Sequence, residues 1–292
     1  MRQGTGALSR FFFEERPLVG MAAARIVIAL TLLHAYAVRA PAVADLFGPE
    51  GAGGAAFRER LPEAGRFHPQ IAPVFDLLSA VPSAALTQAL FVALLVASLA
   101  FALGLATRPA GVLTLVLHVL FHARNPYAFG GWAGWVTGPL LYLVLAPTGR
   151  VWSLDAWLRR RRGLAPLPDR APAWPLRLLQ IHLCAMYFTA AASRIDKPIW
   201  LSGDLVQVAL TSAISSRLPG DWSVFAPWLR LATWAAWALE LLAPVALWLP
   251  RVGRLWALAL VGLHAGLQLL VLMDAWSGVM IGGLMAFLLP WR

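Results

Sequence analysis

Eight times along this chain a run of apolar residues comes close to the length needed to cross a lipid bilayer. The runs cover 17–38, 84–106, 110–123, 131–147, 174–193, 226–249, 252–273 and 275–291. A helix rising about 1.5 Å per residue needs roughly 20 such residues to span the hydrocarbon. No water is available there for unpaired amides, so each run must close its own hydrogen bonds as a helix. The expected fold is therefore all-α: a polytopic transmembrane helix bundle of about eight spans. Arg108-Pro109 and Pro250-Arg251 mark tight turns between antiparallel neighbours, because proline cannot continue a helix interior.

Composition agrees. Hydrophobic residues make up 60% of the 292 and charged residues 13%, about half the charged share of a soluble domain. Cys184 is the only cysteine, which excludes an internal disulfide. The N-terminal segment MRQGTGALSRFFFEERP is charged and lacks the compact apolar core of a signal peptide. Fourteen tryptophans suit aromatic belts at the headgroups. The net charge of +10 is spread over short loops, where it reads as topology and contact with membrane lipids rather than nucleic-acid binding. The densest basic cluster, Arg159–Arg162, is placed inside. With an even span count, both termini are then cytoplasmic.

Two outer segments, roughly 39–83 and 194–225, mix aromatic and turn-forming residues, and short interfacial helices are expected in both. No domain linker interrupts the pattern, so residues 1–292 read as a single transmembrane domain. No repeat of the inverted kind and no paired broken helices mark a transporter.

Ionisable groups inside spans are costly and point to function by default. Arg25 and His34 lie on the first span, His118 and His122 on the third, His182 on the fifth, Glu240 on the sixth and His264 on the seventh. Arg25 and Glu240 are expected to neutralise each other. His118 and His122 share a helix face, as a metal-binding pair would, but no HExxH or further histidine box accompanies them, and no metal is assigned. The stretch YFTAAASRIDKPIWLSG, residues 187–203, holds Lys197, the only lysine against 23 arginines, and forms a polar rim where a span ends.

Three segments carry a family resemblance. The first, 124–157, opens Arg-Asn-Pro, runs through paired glycines and an apolar stretch, and closes on Trp152-Ser153-Leu154-Asp155. Asn125 in it is the only asparagine. The second, 177–206, has Gln180, Tyr187, a basic residue six before Trp200, and Gly203. The third, 240–281, has Glu240, an arginine-marked turn and His264. In this order the pattern resembles the HTTM family, bacterial membrane proteins homologous to vitamin K-dependent gamma-carboxylase. The resemblance implies a bacterial inner-membrane bundle around a quinol pocket, with reduced vitamin K or menaquinol as the class of cofactor. It also implies a lysine base, and the family's lysine position falls on Arg194. Arginine is not deprotonated in proteins, so Lys197 becomes the alternative base and His264 a second catalytic candidate. Asn125, Tyr187, Arg194, Trp200 and Glu240 are the expected ligand-binding residues. The sequence runs to Arg292, just past the last span, and the carboxylase's post-helical domain is expected to be missing. Two functional classes stay open: a membrane protein that binds a quinol or lipid, and a quinol-dependent oxidase or carboxylase using Lys197.

Overall fold

The computed structural model describes residues 6–52, 78 and 83–289, and within them the chain is helical almost throughout. Helix α1 (Ala7–Phe13) leads through a three-residue strand β1 (Glu15–Pro17) into α2 (Val19–Ala37). Then follow α3 (Val43–Phe47), α4 (Ala84–Leu103), α5 (Thr107–Arg124), α6 (Trp132–Leu145) and α7 (Leu154–Arg161). Strand β2 (Arg170–Pro172) opens the second half, with α8 (Trp174–Ala192), α9 (Pro198–Leu201), α10 (Leu205–Thr211), α11 (Ala226–Ala246), α12 (Gly253–Leu270) and α13 (Trp276–Leu288). Helices α2, α4, α5, α6, α8, α11, α12 and α13 fall on the eight expected runs.

Among the described residues, Val19–Ala37, Ala84–Leu103, Ser223–Ala246 and Gly253–Leu270 are long and apolar enough to cross a membrane by themselves. Trp132–Leu145 and Trp276–Leu288 are shorter apolar helices. Large apolar side chains such as Val96, Val116 and Leu255 lie exposed on the outside of the bundle, where lipid rather than water satisfies them. The protein is an all-α membrane bundle. Short helices are present in both of these segments, as α3 in residues 39–83 and as α9 and α10 in residues 194–225. The remainder of the first segment, with Arg58, Arg60, Arg66 and Asp76, lies outside the described residues.

The halves repeat one another. In the first, α2 packs on α4, α4 on α5, α5 on α6 and α3 on α4. In the second, α8 packs on α11, α11 on α12, α12 on α13 and α10 on α11. Between halves the contacts are reciprocal: α2 meets α13 as α8 meets α6. Strands β1 and β2 immediately precede α2 and α8, and pair antiparallel with Arg16 opposite Ala171. Reciprocal contacts of this kind define an approximate two-fold. Both quartets start from the strand end, so the repeat runs in the same sense, not inverted. A trace survives in sequence: α6 opens Trp132, Gly134, Gly138, and α13 opens Trp276, Gly278, Gly282, at identical spacing.

Those glycines make the seam between halves. A Cβ on Gly278 would collide with Thr31 Oγ1, and one on Gly282 would fall 2.5 Å from Ile28 Cγ1. Small residues let the backbones of α13 and α2 close together, which is how helices associate without a hydrophobic driving force. On the other seam the ring of His182 occupies the notch at Gly138, where a Cβ would sit 2.7 Å from its Cε1. Gly282→Ala is expected to destabilise the bundle by about 1–3 kcal/mol through overpacking. Gly266→Ala, on α12 with open space around it, is expected to be neutral or slightly stabilising. Thermal unfolding of the two variants in detergent checks the contrast.

Buried polar side chains at the strand end do structural work. Arg25, which is 0% exposed, donates from Nη1 to Thr148 O at 2.9 Å and from Nη2 to Trp152 O at 2.5 Å. It does not meet Glu240: its position on α2 sends it to the strand end of the bundle, while Glu240 pairs with Arg194. The Trp152–Asp155 segment of the family resemblance is a junction. Ser153 Oγ accepts from Ala156 N and caps α7, while Asp155 accepts from Ala106 N, Thr107 N and Thr107 Oγ1 at the start of α5.

Candidate functional site

The end of the bundle away from the strands carries the polar rim. Tyr187 on α8 and His264 on α12 are both fully buried, at 1% and 0% exposure, and Tyr187 Oη lies 2.9 Å from His264 Nε2. Just past the end of α8, Arg194 forms an ion pair with Glu240 of α11. Its guanidinium also lies over the Trp200 ring, 4.2 Å from the centroid, a geometry in which the ring face attracts the cation. The charges of Arg194 and Glu240 act on His264 and Tyr187 respectively. Five of the seven expected residues, Tyr187, Arg194, Trp200, Glu240 and His264, therefore form one cluster drawn from α8, α9, α11 and α12.

The segment 194–225 roofs this end. Arg230 Nε donates to Asp204 Oδ1 at 2.9 Å, Trp234 Nε1 to Leu201 O at 3.3 Å, and Val206 N to Thr233 Oγ1 at 3.2 Å, which ties α9 and α10 to α11. Leu272 N donates to Ser215 O at 2.7 Å and Arg217 N to Leu270 O at 3.0 Å, fastening the loop after α10 to the end of α12. Gly203, at φ +79°, supplies the left-handed turn between α9 and α10, and it faces Trp234 and Arg230 so closely that a side chain would crowd them.

Two expected residues stand apart. The Lys197 side chain is 55% exposed and its Nζ lies 3.2 Å from Asp196 Oδ1, itself 77% exposed. That is outside the apolar enclosure a neutral lysine base requires. Asn125 is buried in the first half, where Nδ2 donates to Leu46 O at 2.8 Å and Oδ1 accepts from the amides of Tyr127 and Ala128. Beside it Arg124 donates to Phe47 O and Gly48 O, each at 3.1 Å. The Arg-Asn pair thus satisfies the carbonyls left open at the C-terminus of α3, a structural task in the half of the bundle that does not hold Arg194.

The approximate two-fold offers an internal comparison. Arg39, just after α2, occupies the place of Arg194 just after α8. Arg39 donates to Asp274 Oδ2 at 2.7 Å, Ala128 O at 2.8 Å and Ala35 O at 2.7 Å, and faces the Phe129 ring. Trp132 Nε1 donates to the same Asp274 at 2.7 Å. His118 on α5 corresponds to His264 on α12, and both its nitrogens are engaged: Nδ1 with Tyr36 Oη at 2.7 Å, Nε2 with Ala133 O at 2.8 Å. His264 differs. Its Nδ1 is buried and has no hydrogen-bond partner among the described residues. Sequence reading missed this Arg39–Asp274–Trp132 clamp, although the Trp-Gly spacing shared by α6 and α13 would have signalled the repeat. Among the described residues no group of three or more His, Cys, Asp or Glu could hold a metal ion.

Compared with protein families, the chain matches the family model described as HTTM domain over residues 68–288. Neither the curated proteins nor the solved structures provide a match.

Proposed function

Since the chain belongs to the HTTM domain family, we propose that its roofed cluster binds the polar head of a lipid-soluble quinol, with Arg194 as a fixed cation in place of the family's lysine base. The observation that carries this reading is His264 Nδ1, unpartnered among the described residues. An unpaired polar atom in a buried site costs about 1–3 kcal/mol, and its counterpart on His118 is paired. Either tautomer of His264 leaves Nδ1 one bond short: as acceptor if Nε2–H donates to Tyr187, as donor if Tyr187 O–H donates to Nε2. A quinol hydroxyl can both donate and accept, so it completes either arrangement. Trp200 supports the reading by offering an aromatic face beside the cation.

The same cluster argues for binding over base catalysis. Arg194 stays protonated and is engaged with Glu240. Lys197 faces water. The orientation we propose places this end outside and the Arg159–Arg162 end in the cytoplasm of a bacterial inner membrane, following the basic-residue bias.

Mass spectrometry of lipids and quinones that co-purify in mild detergent tests the reading. Quinone or quinol should be enriched over the bulk membrane extract, should fall about tenfold in His264→Phe, where a bond of roughly 1.4 kcal/mol is lost, and should be unchanged in Lys197→Ala. Given reduced vitamin K, bicarbonate and a glutamate peptide, the purified protein should yield neither epoxide nor carboxylated product. Equal quinone content in wild type, His264→Phe and the bulk extract would overturn the proposal. Epoxide formation abolished by Lys197→Ala would establish the oxidase alternative.

A further inference from the structure

At the opposite, strand-bearing end, a cavity of about 460 Å³ opens between the two strands, the start of α8, the α11–α12 turn and the end of α13. Its size lies within the roughly 300–1,000 Å³ of small-ligand pockets. Four arginines line it, Arg16, Arg170, Arg177 and Arg254, and among the described residues no carboxylate does. Arg16 pairs with Glu14, exposed on the rim. The wall between the arginines is apolar, with Leu247, Trp248 and Phe287 half-buried or buried. Arg177 is held in place from three directions. Nη1 donates to Gln180 Oε1 at 2.8 Å, Nε donates to Phe11 O at 3.2 Å, and the guanidinium lies 5.6 Å from the Trp248 ring centroid. Gln180 is anchored in turn to Ala286 O at 2.7 Å. The cavity is therefore a built basic socket with an apolar flank, at the level where a bundle of this length meets the headgroups.

We infer that this socket binds the phosphate of an anionic phospholipid, its acyl chains lying along the apolar side of α11 and α13. Arginine forks match phosphate oxygens in pairs, and basic pockets between membrane helices select anionic headgroups. A soluble phosphate ester would meet the same arginines but leave the Trp248–Phe287 flank uncovered, so the lipid is the better occupant. A second cavity of the same volume lies beside the α4–α5 turn and α7, also with four arginines: Arg150, Arg159, Arg160 and Arg162. That one includes the carboxylate of Asp155, which lowers its net charge. The inference concerns the inner end alone and is independent of the quinol reading.

Native mass spectrometry of the full chain, exposed to equal amounts of phosphatidylglycerol and phosphatidylcholine, tests it. Phosphatidylglycerol should be retained about tenfold or more over phosphatidylcholine. The double variant Arg16→Gln/Arg254→Gln should lose that preference, while Arg251→Gln, an exposed charge on the same turn outside the lining, should keep it. Equal retention of both lipids by the wild-type protein overturns the inference whether or not the double variant folds. So does an equal loss in Arg251→Gln, which would make the effect one of general surface charge. Displacement of the bound lipid by millimolar inorganic phosphate would assign the socket to soluble phosphate and overturn the lipid.

Discussion

Replacing Glu240 with alanine is expected to destabilise the protein by about 3 kcal/mol, because it leaves Arg194 without its counter-charge at the end of a membrane span. The pair is partly sheltered, with side-chain exposures of 24% for Arg194 and 10% for Glu240, so solvent can relieve some but not all of the loss. Glu240→Gln keeps a hydrogen-bond acceptor and should cost less than alanine. Removing both charges, Arg194→Met with Glu240→Leu, should recover much of the stability, since a buried pair replaced by apolar groups of similar volume is often near neutral. Chemical unfolding in detergent resolves these steps. The interpretation fails if Glu240→Ala unfolds within about 0.5 kcal/mol of wild type, the range of an ordinary surface substitution.

Four helices were legible by length and hydropathy and the rest as shorter apolar runs, with ends at Arg124 and around Pro250, where the pattern is interrupted. The cluster was half legible. Tyr187, Arg194 and Trp200 stand close in sequence at the end of one span, and Glu240 and His264 are costly inside theirs, so all five could be picked out. Which way each points is a matter of helix phase and of partners. That is why Lys197, three residues past Arg194, faces water beside Asp196, and why Asn125, singular in composition, turns out to cap a neighbouring helix. The expected Arg25–Glu240 pair failed for a related reason. Charge complementarity names possible partners, while position along the span decides whether they can meet, and these two sit toward opposite ends. The strands were invisible because three residues carry no period. The repeat was hidden because the two halves share a packing plan and only a few residues, among them the Trp-Gly spacing and the histidines at 118 and 264.

At the strand end the largest effect is expected from Arg25→Met. The methionine approximates the length of the arginine stem but donates no hydrogen bond, so Trp152 O would lose the Arg25 donor and Thr148 O would keep only the long bond from Val151 N, at 3.4 Å. An unsatisfied buried carbonyl costs about 1–3 kcal/mol, and with Thr148 O still partnered and Trp152 partly exposed the expected loss is about 2 kcal/mol. The damage should spread along a definite path. Trp152 holds a left-handed conformation, φ 49°, which a residue with a side chain keeps only when its surroundings impose it, and its carbonyl is one of the two that Arg25 takes. Releasing it frees Ser153 and Asp155, and with them the caps of α7 and α5. Hydrogen exchange should therefore quicken at the amides of Ala106, Thr107 and Ala156 before the rest of the bundle responds. Arg25→Lys, which keeps a charge but reaches only one carbonyl at a time, should fall between wild type and methionine. Because Arg25 and Glu240 lie toward opposite ends and share no partner, the losses from Arg25→Met and Glu240→Ala should add to within about 0.5 kcal/mol. A strong departure from additivity, or quickened exchange confined to the end holding His264, would show that Arg25 does not act through the loop it is bonded to.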